Sequence, residues 1–442
     1  MVKCCATQPG NAIMKSAFFF RLSDLMSQIW VKVSIYSLLA VFTALAAIWL
    51  RAFIPSDLEA ELGADAVETV LSILATSMLT VATFSLGIMA NAISGAADGA
   101  TPRATALLLE DGVSQNALAT FLGAFSFSLV GIIALQIGIY EQGGRIILLA
   151  VTIGVIILIY VAFIRWVNLL RSFGRIPDTL NRIEKSAETA LRHRLDHPFL
   201  DCHPLDPSDD VDSDMIPLHA GQVGFVQHID TAELQKCAEA LDLEIRVARI
   251  PGQFASASRP LAYIRAKAAE ADEEAQRKLS ACFSLGAERT IKQDPQFGMI
   301  MLSETAARAL SSGINDPGTA IDVLRRALRL LLCWENRPTA NVVHDRIWVP
   351  GLKPEGFLRD LIRPIARDGA AMVEVHHVLQ SVLHDLVQAR PDVFGNAAQA
   401  QSREALERAE AHLTLQSEKD EIRAIARKVT RSEVEYKAPA TL

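Results

Sequence analysis

The sequence predicts an α-helical membrane protein joined to a water-soluble α+β portion, and three observations carry that reading. The chain has 442 residues, 50% hydrophobic and 21% charged, with a mean hydropathy of +0.24. That is high for a wholly soluble protein, which covers its core with polar and charged side chains. The apolar excess is concentrated in the first 170 residues. The rest has ordinary globular composition, with strand-like alternation followed by helix-spaced apolar positions. A formal net charge of −7 and a pI near 5.9 exclude a nucleic-acid binder that relies on bulk positive charge.

Residues 29–170 are expected to hold four transmembrane helices, Ile29–Phe53, Val67–Ile93, Asn116–Tyr140 and Ile146–Leu170. Each is a long apolar run without two-residue alternation, which suits a helix and not a barrel strand. A short polar turn, EQGGR, makes the last two an antiparallel hairpin. Residues 1–28 precede them and lack the apolar core and cleavage site of a signal peptide. Within them Ala12–Met26 reads as an interfacial helix in the headgroup layer or as a helix packed on the soluble part.

Lys/Arg placement orients the spans. Lys3, Lys15, Arg21 and Lys32 stand before or at the start of the first. Arg165, Arg171, Arg175, Arg182 and Lys185 stand at and after the end of the fourth. The loop after the first span holds Arg51 against Asp57, Glu59, Glu61, Asp65 and Glu68. Both termini are therefore expected on the cytoplasmic side of the membrane.

The second span carries one polar line. Ser72, Thr76, Thr80, Thr83, Gly87, Asn91 and Ser94 follow one another at steps of four or three, which keeps them on one helix face. Two readings stand side by side. Small residues admit close helix packing, with Gly123, Gly131 and Gly138 of the third span as a neighbour. Alternatively, the face lines a permeation path in a homo-oligomer. No acidic residue, lysine or histidine sits mid-span, so a proton relay lacks parts.

Residues 171–214 read as a neck helix, Ile176–Leu195, continuing the fourth span, and an acidic linker, Asp201–Asp214. Residues 215–266 form a small β-rich, barrel-like module: strand Gly224–Ile229, helix Ala232–Ala240, strand Glu244–Ile250, a Pro251-Gly252 turn and strand Pro260–Ile264. Residues 267–442 are helical, over Glu273–Leu285, Gly298–Ser311, Thr319–Cys333, Pro354–Ala366, Ala370–Val387 and Arg403–Arg431.

Asp294-Pro295 and Asp316-Pro317 each read as an N-cap followed by proline at the first helical position. The functional alternative gathers Glu288, Arg289, Gln293, Asp294, Asn315 and Asp316 into a polar pocket for a small ligand or ion. His197, Cys202 and His203 match no metal spacing. His376, His377 and His384 share a helix and read as core or partly exposed histidines. The six cysteines, Cys4, Cys5, Cys202, Cys237, Cys282 and Cys333, form neither a disulfide framework nor a zinc motif and suit a reducing compartment. Without G-x-S-x-G, a P-loop or G-x-G-x-x-G, no enzyme activity and no cofactor are expected.

Four N-terminal spans, TPRATALLLEDGVSQNALATFLGAFSFSL, GFVQHID with PGQF, and ERTIKQDPQFGM…ALSSGINDPGTAID together resemble a family of predicted bacterial four-span membrane proteins of unknown function. Its members typically have Ser-Pro-Arg where this chain has Thr101-Pro102-Arg103. They typically have phenylalanine at the position of Gly318, within Asn315-Asp316-Pro317-Gly318-Thr319-Ala320. The resemblance implies the topology and the membrane location, and brings no activity with it. The expected function is an oligomeric channel-like or permeation assembly with a cytoplasmic regulatory domain. The alternative is a non-conducting membrane-anchored sensor or scaffold.

Overall fold

The computed structural model describes residues 29–50, 64–138, 142–206, 214–266, 273–334 and 341–431. The N-terminal interfacial segment, the end of the first expected span, Ile139 and Tyr140 at the end of the third, and half of the acidic linker lie outside these residues. By internal contacts, the described parts of Phe18–Asp98 and Pro102–Thr179 form one compact unit. Those of Gly99–Thr101 and Leu180–Leu442 form another.

The first unit holds helices α1 (Ile29–Leu50), α2 (Ala64–Gly99), the short α3 (Thr105–Leu109), α4 (Gly112–Gln136) and α5 (Gln142–Leu170), with a 3₁₀ turn at Pro102–Ala104. Among the described residues, α2, α4 and α5 are long and apolar enough to cross a membrane, whereas Trp30–Thr43 of α1 is a shorter apolar stretch. α2 overruns the expected second span at both ends; its 36 residues rise about 54 Å at 1.5 Å each. α4 starts at an Asp111 cap, whose carboxylate accepts the Ser114 N–H at 2.8 Å. It ends before Gly138, whose φ of +75° is the left-handed conformation that terminates helices.

Packing in this unit is set by α4. A Cβ at Gly123 would lie 3.3 Å from the Tyr36 backbone oxygen, so the glycine lets α1 approach closely. Val67 and Leu71 of α2 join Phe127, Ala134 and Leu148 in one apolar cluster. Met78 and Ala82 join Ala117, Phe121, Ile159 and Trp166 in the next. The fourth span does not continue into the neck helix. α5 stops at Leu170, and a turn with Gly174 at φ +77° intervenes before α6 (Ile176–Asp196).

The second unit contains two open sheets instead of a barrel-like module. The strands are β1 (Cys202–Leu205), β2 (Ile216–Leu218), β3 (Gly224–Ile229), β4 (Leu243–Val247), β5 (Phe254–Ala255), β6 (Ala262–Ala266), β7 (Phe283–Gly286) and β8 (His344–Pro350). One sheet runs β1-β8-β4-β6-β2 and the other β5-β3-β7. The first cannot close within 215–266, because β4 pairs on one side with β6 and on the other, in parallel, with the distant β8. The expected linker likewise yields β1, parallel to β8, with His203 stacked on Trp348 at 5.0 Å. Both outer strands of this sheet contain a proline, Pro204 and Pro217, a residue sheets accept at their edges. Helix α7 (Thr231–Ala240) packs on β8 and β4. Val226, Leu234, Ile245, Ile264, Phe283, Ile347 and Val349 form the core beneath.

The remaining helices are α8 (Glu273–Ala281), α9 (Pro295–Ala309), α10 (Pro317–Leu332), α11 (Pro354–Asp368), α12 (Val373–Ala389), α13 (Pro391–His412) and α14 (Gln416–Arg431). The expected helix Glu273–Leu285 is shorter, since Phe283–Gly286 leaves it to pair with β3. The terminal segment Arg403–Arg431, which reads from the sequence as one helix or a helix pair, is a pair, separated where Leu413 turns extended. Trp334 stands edge-on to Phe357 and Phe394, at centroid distances of 5.1 and 5.7 Å, tying α10 to α11 and α13.

Candidate functional site

Two regions hold the residues singled out in the sequence. The first is the outer face of α2. Ser72, Thr76, Thr80, Thr83, Gly87, Asn91 and Ser94 are all exposed, while Val67, Leu71, Ala75, Met78, Ala82 and Met89 are buried. At about 100° per residue the two sets lie on roughly opposite sides of the helix. The third-span glycines do not meet this stripe. Gly123 faces Tyr36 and Gly131 faces Leu71. The threonine hydroxyls donate to their own helix, Thr76 to the Ser72 carbonyl at 3.0 Å, Thr80 to Thr76 at 2.8 Å and Thr83 to Leu79 at 2.9 Å. Their donors are therefore satisfied while an oxygen lone pair still faces outward.

The second region is built around Asp294, which is 4% exposed. It caps α9 by accepting the Phe297 N–H at 3.3 Å. It also pairs with Arg289, whose Nε donates to Oδ2 at 2.7 Å. The guanidinium lies 5.3 Å from the Phe297 ring centroid, a cation–π contact. Burial favours the neutral carboxyl more than Arg289 favours the charged one, so the Asp294 pKa is pushed up to about 6. Gly252, at φ +90°, sits where a Cβ would overlap this carboxylate.

Neighbouring bonds lock the same junction. Gln293 accepts the Ile229 N–H at 3.3 Å, and Gln227 donates to the Glu288 carbonyl at 2.8 Å. Glu288 thus contributes its backbone. Gly252 donates to Val226 at 2.8 Å and Val226 to Gln253 at 2.9 Å. The segments GFVQHID, PGQF and ERTIKQDP, separate in sequence, meet in one junction around this buried carboxyl. Chemically, the junction can take up or release a proton next to an arginine. His228, buried beside Gln293, is held below its ordinary pKa by burial, against the pull of Asp230.

Asn315 and Asp316 are placed elsewhere. Asp316 caps α10, accepting from the Thr319 N–H at 3.1 Å and the Thr319 hydroxyl at 2.6 Å. These bonds hold its carboxyl below the usual range. Asn315 takes a left-handed φ of +53° just before it. The two aspartates cap successive helices at opposite ends of α9, which rises about 22 Å. The six residues thus divide between a closed Asp294 junction and a separate cap.

His197 Nδ1 lies 2.8 Å from Asp201, His203 stacks on Trp348, and Cys202 faces the core. Among the described residues, no three His, Cys, Asp or Glu side chains gather as a metal set. His377 meets Glu421 at 2.8 Å, while His376 is fully buried. Sequence reasoning read Gly252 only as half of a Pro-Gly turn and did not single out His228, whose one signal was membership of the GFVQHID motif.

The chain belongs to the family of predicted membrane proteins DUF2254, whose model matches residues 26–385. It is 25% identical over 262 residues to the uncharacterized protein Rv1290c of Mycobacterium tuberculosis, covering 58% of this chain and 50% of that protein. The uncharacterized protein Mb1321c of Mycobacterium bovis matches to the same extent. The chain thus spans about half the length of these curated relatives. No solved structure matches it.

Proposed function

We propose that this membrane protein assembles with copies of itself into a channel-like or permeation assembly, with the α2 stripe turned toward the shared axis. One observation carries the reading: all seven stripe residues are exposed, opposite the face with which α2 packs on its own chain. Hydroxyls whose donors are satisfied but whose oxygens remain open suit a neighbouring helix or water better than lipid. α1 is taken as the first of four spans, alongside α2, α4 and α5, since its 22 residues rise about 33 Å. The Lys/Arg pattern supports both ends on the cytoplasmic side and the family resemblance supports a bacterial inner membrane, with the second unit as the cytoplasmic regulatory part.

The test is oligomer mass in detergent together with ion flux from reconstituted vesicles. A ring of three or more copies, with flux reduced by Thr80→Trp, supports the reading. A monomer, or flux unchanged in Thr80→Trp, overturns it. A second reading, a non-conducting sensor or scaffold, draws support from the buried, protonatable Asp294 junction. It predicts no flux, with partner or ligand binding by the second unit.

A further inference from the structure

A cavity of about 290 Å³ in the second unit is walled by the end of α6, the turn after β8 and the first turns of α11 and α13. Its residues include Arg194, Phe199, Trp334, Gly351, Glu355 and Asp392. Arg194 is 3% exposed and makes no ion pair among the described residues. Its Nη2 donates to the Pro350 carbonyl at 3.3 Å, and Nη1 has no hydrogen-bond partner. Burial lowers its pKa to about 10, so it stays charged at neutral pH. The adjacent Cys202 thiol, pushed up to about 12 by burial, stays neutral and offers no counter-charge. A buried guanidinium left without an anion is costly, and bidentate binding of a carboxylate relieves it.

The helix starts add to this. α11 and α13 begin at Pro354 and Pro391 without a side-chain cap on their first N–H groups. The positive ends of both dipoles therefore meet the cavity. Glu355 and Asp392, in those same first turns, are exposed. They disfavour a ligand that is anionic throughout and favour one with a cationic end. Phe199 and Trp334 supply aromatic wall. The volume sits at the lower limit of small-molecule pockets, about 300 Å³.

From this arrangement we infer a binding site for a small zwitterion with an apolar body, the chemistry of an aliphatic or aromatic α-amino acid. Its carboxylate pairs with Arg194, its ammonium lies near Glu355 and Asp392, and its side chain rests on Phe199 and Trp334. The site is independent of the channel reading and stands or falls on binding alone.

The test is equilibrium binding to the full chain in detergent, using L-leucine and L-phenylalanine as probes. Isocaproate, which lacks the amine, and isopentylamine, which lacks the carboxylate, serve as controls. Saturable binding of an amino acid, at least about tenfold tighter than either control, is expected. Arg194→Lys should weaken it by about tenfold or more, since lysine cannot bind a carboxylate bidentately. The pair Glu355→Gln and Asp392→Asn alters only exposed side chains and so keeps the fold. It should weaken amino-acid binding to a similar degree while sparing isocaproate. No saturable binding of either amino acid, equal binding of isocaproate, or amino-acid affinity unchanged in the Glu355→Gln, Asp392→Asn variant would overturn the proposal.

Discussion

The backbone of Gly252 lies so close to the carboxylate of Asp294 that a side chain at position 252 would occupy the same space. The turn at Pro251-Gly252 and the cap of α9 are therefore shaped to one another. Gly252→Ala meets both this overlap and the strain of a positive φ. A loss of about 3 kcal/mol is expected from left-handed strain and overpacking together. Thermal unfolding of the purified chain should show a clearly lowered midpoint, and an unchanged midpoint would show that the turn can move aside.

Asp294 gives the stability a pH dependence of unusual sign. Its folded pKa is near 6, against an ordinary 3.8, because burial outweighs Arg289 and the Phe297 N–H. Between these values the folded chain holds a proton that the unfolded chain has lost. This residue therefore makes the fold more stable as pH falls from about 6 toward 4, and less stable as pH rises. Asp294→Asn should flatten that part of the profile in unfolding measured across pH 4–7. A profile identical to the parent's would remove Asp294 as its source.

His376 acts in the opposite direction. It is fully buried, and neither ring nitrogen has a hydrogen-bond partner among the described residues. Burial, and secondarily His412, lower its pKa to about 4 from 6.5. Across this window the unfolded chain binds the extra proton, so the contribution of His376 is lost as pH falls below about 6.5. His376→Leu removes two unsatisfied polar atoms and should raise stability by about 1–3 kcal/mol, with a larger gain at pH 5 than at pH 7.5. Equal shifts at both pH values would count against titration of this imidazole.

Arg326 ties α6 to α10. It donates to Asn181 and Glu184 at 2.6 Å each and to Asp322 at 2.8 Å, and Arg329 also reaches Glu184 at 2.8 Å. Glu184 and Arg326 are mostly buried, so removing one partner strands the other. Arg326→Met should cost about 3–5 kcal/mol. The double change Arg326→Met with Glu184→Leu should recover part of this loss. A double mutant as unstable as the sum of the single changes would mean that the pair is not coupled.

Some of this was legible before the fold was known. Long uncharged runs revealed α2, α4 and α5, because covering the backbone in lipid requires long apolar helices. Asp-Pro read as a cap at positions 294 and 316 because that pair has few other uses at a helix start. Strands β1 and β8 were invisible for a different reason. β1 has only four residues and carries Pro204 amid acidic residues, and its pairing with β8 joins segments more than a hundred residues apart. The Asp294 junction was half legible. Arg289 and Asp294 are local neighbours, but Gly252 and Gln293's partner Ile229 reach them only through the sheet. Burial of Arg194 and His376 is a property of neighbours from several helices, which no local spacing encodes.

The prolines of the two outer strands have a further consequence for how copies of the chain can join. Each withdraws a backbone donor from an edge where a second molecule could otherwise add a strand. The five-stranded sheet is thereby a poor template for growth in either direction. In the assembly proposed above, contacts between copies would fall to surfaces other than the two edges of this sheet, where side chains instead of bare strand backbone dictate which neighbour is accepted and at what angle.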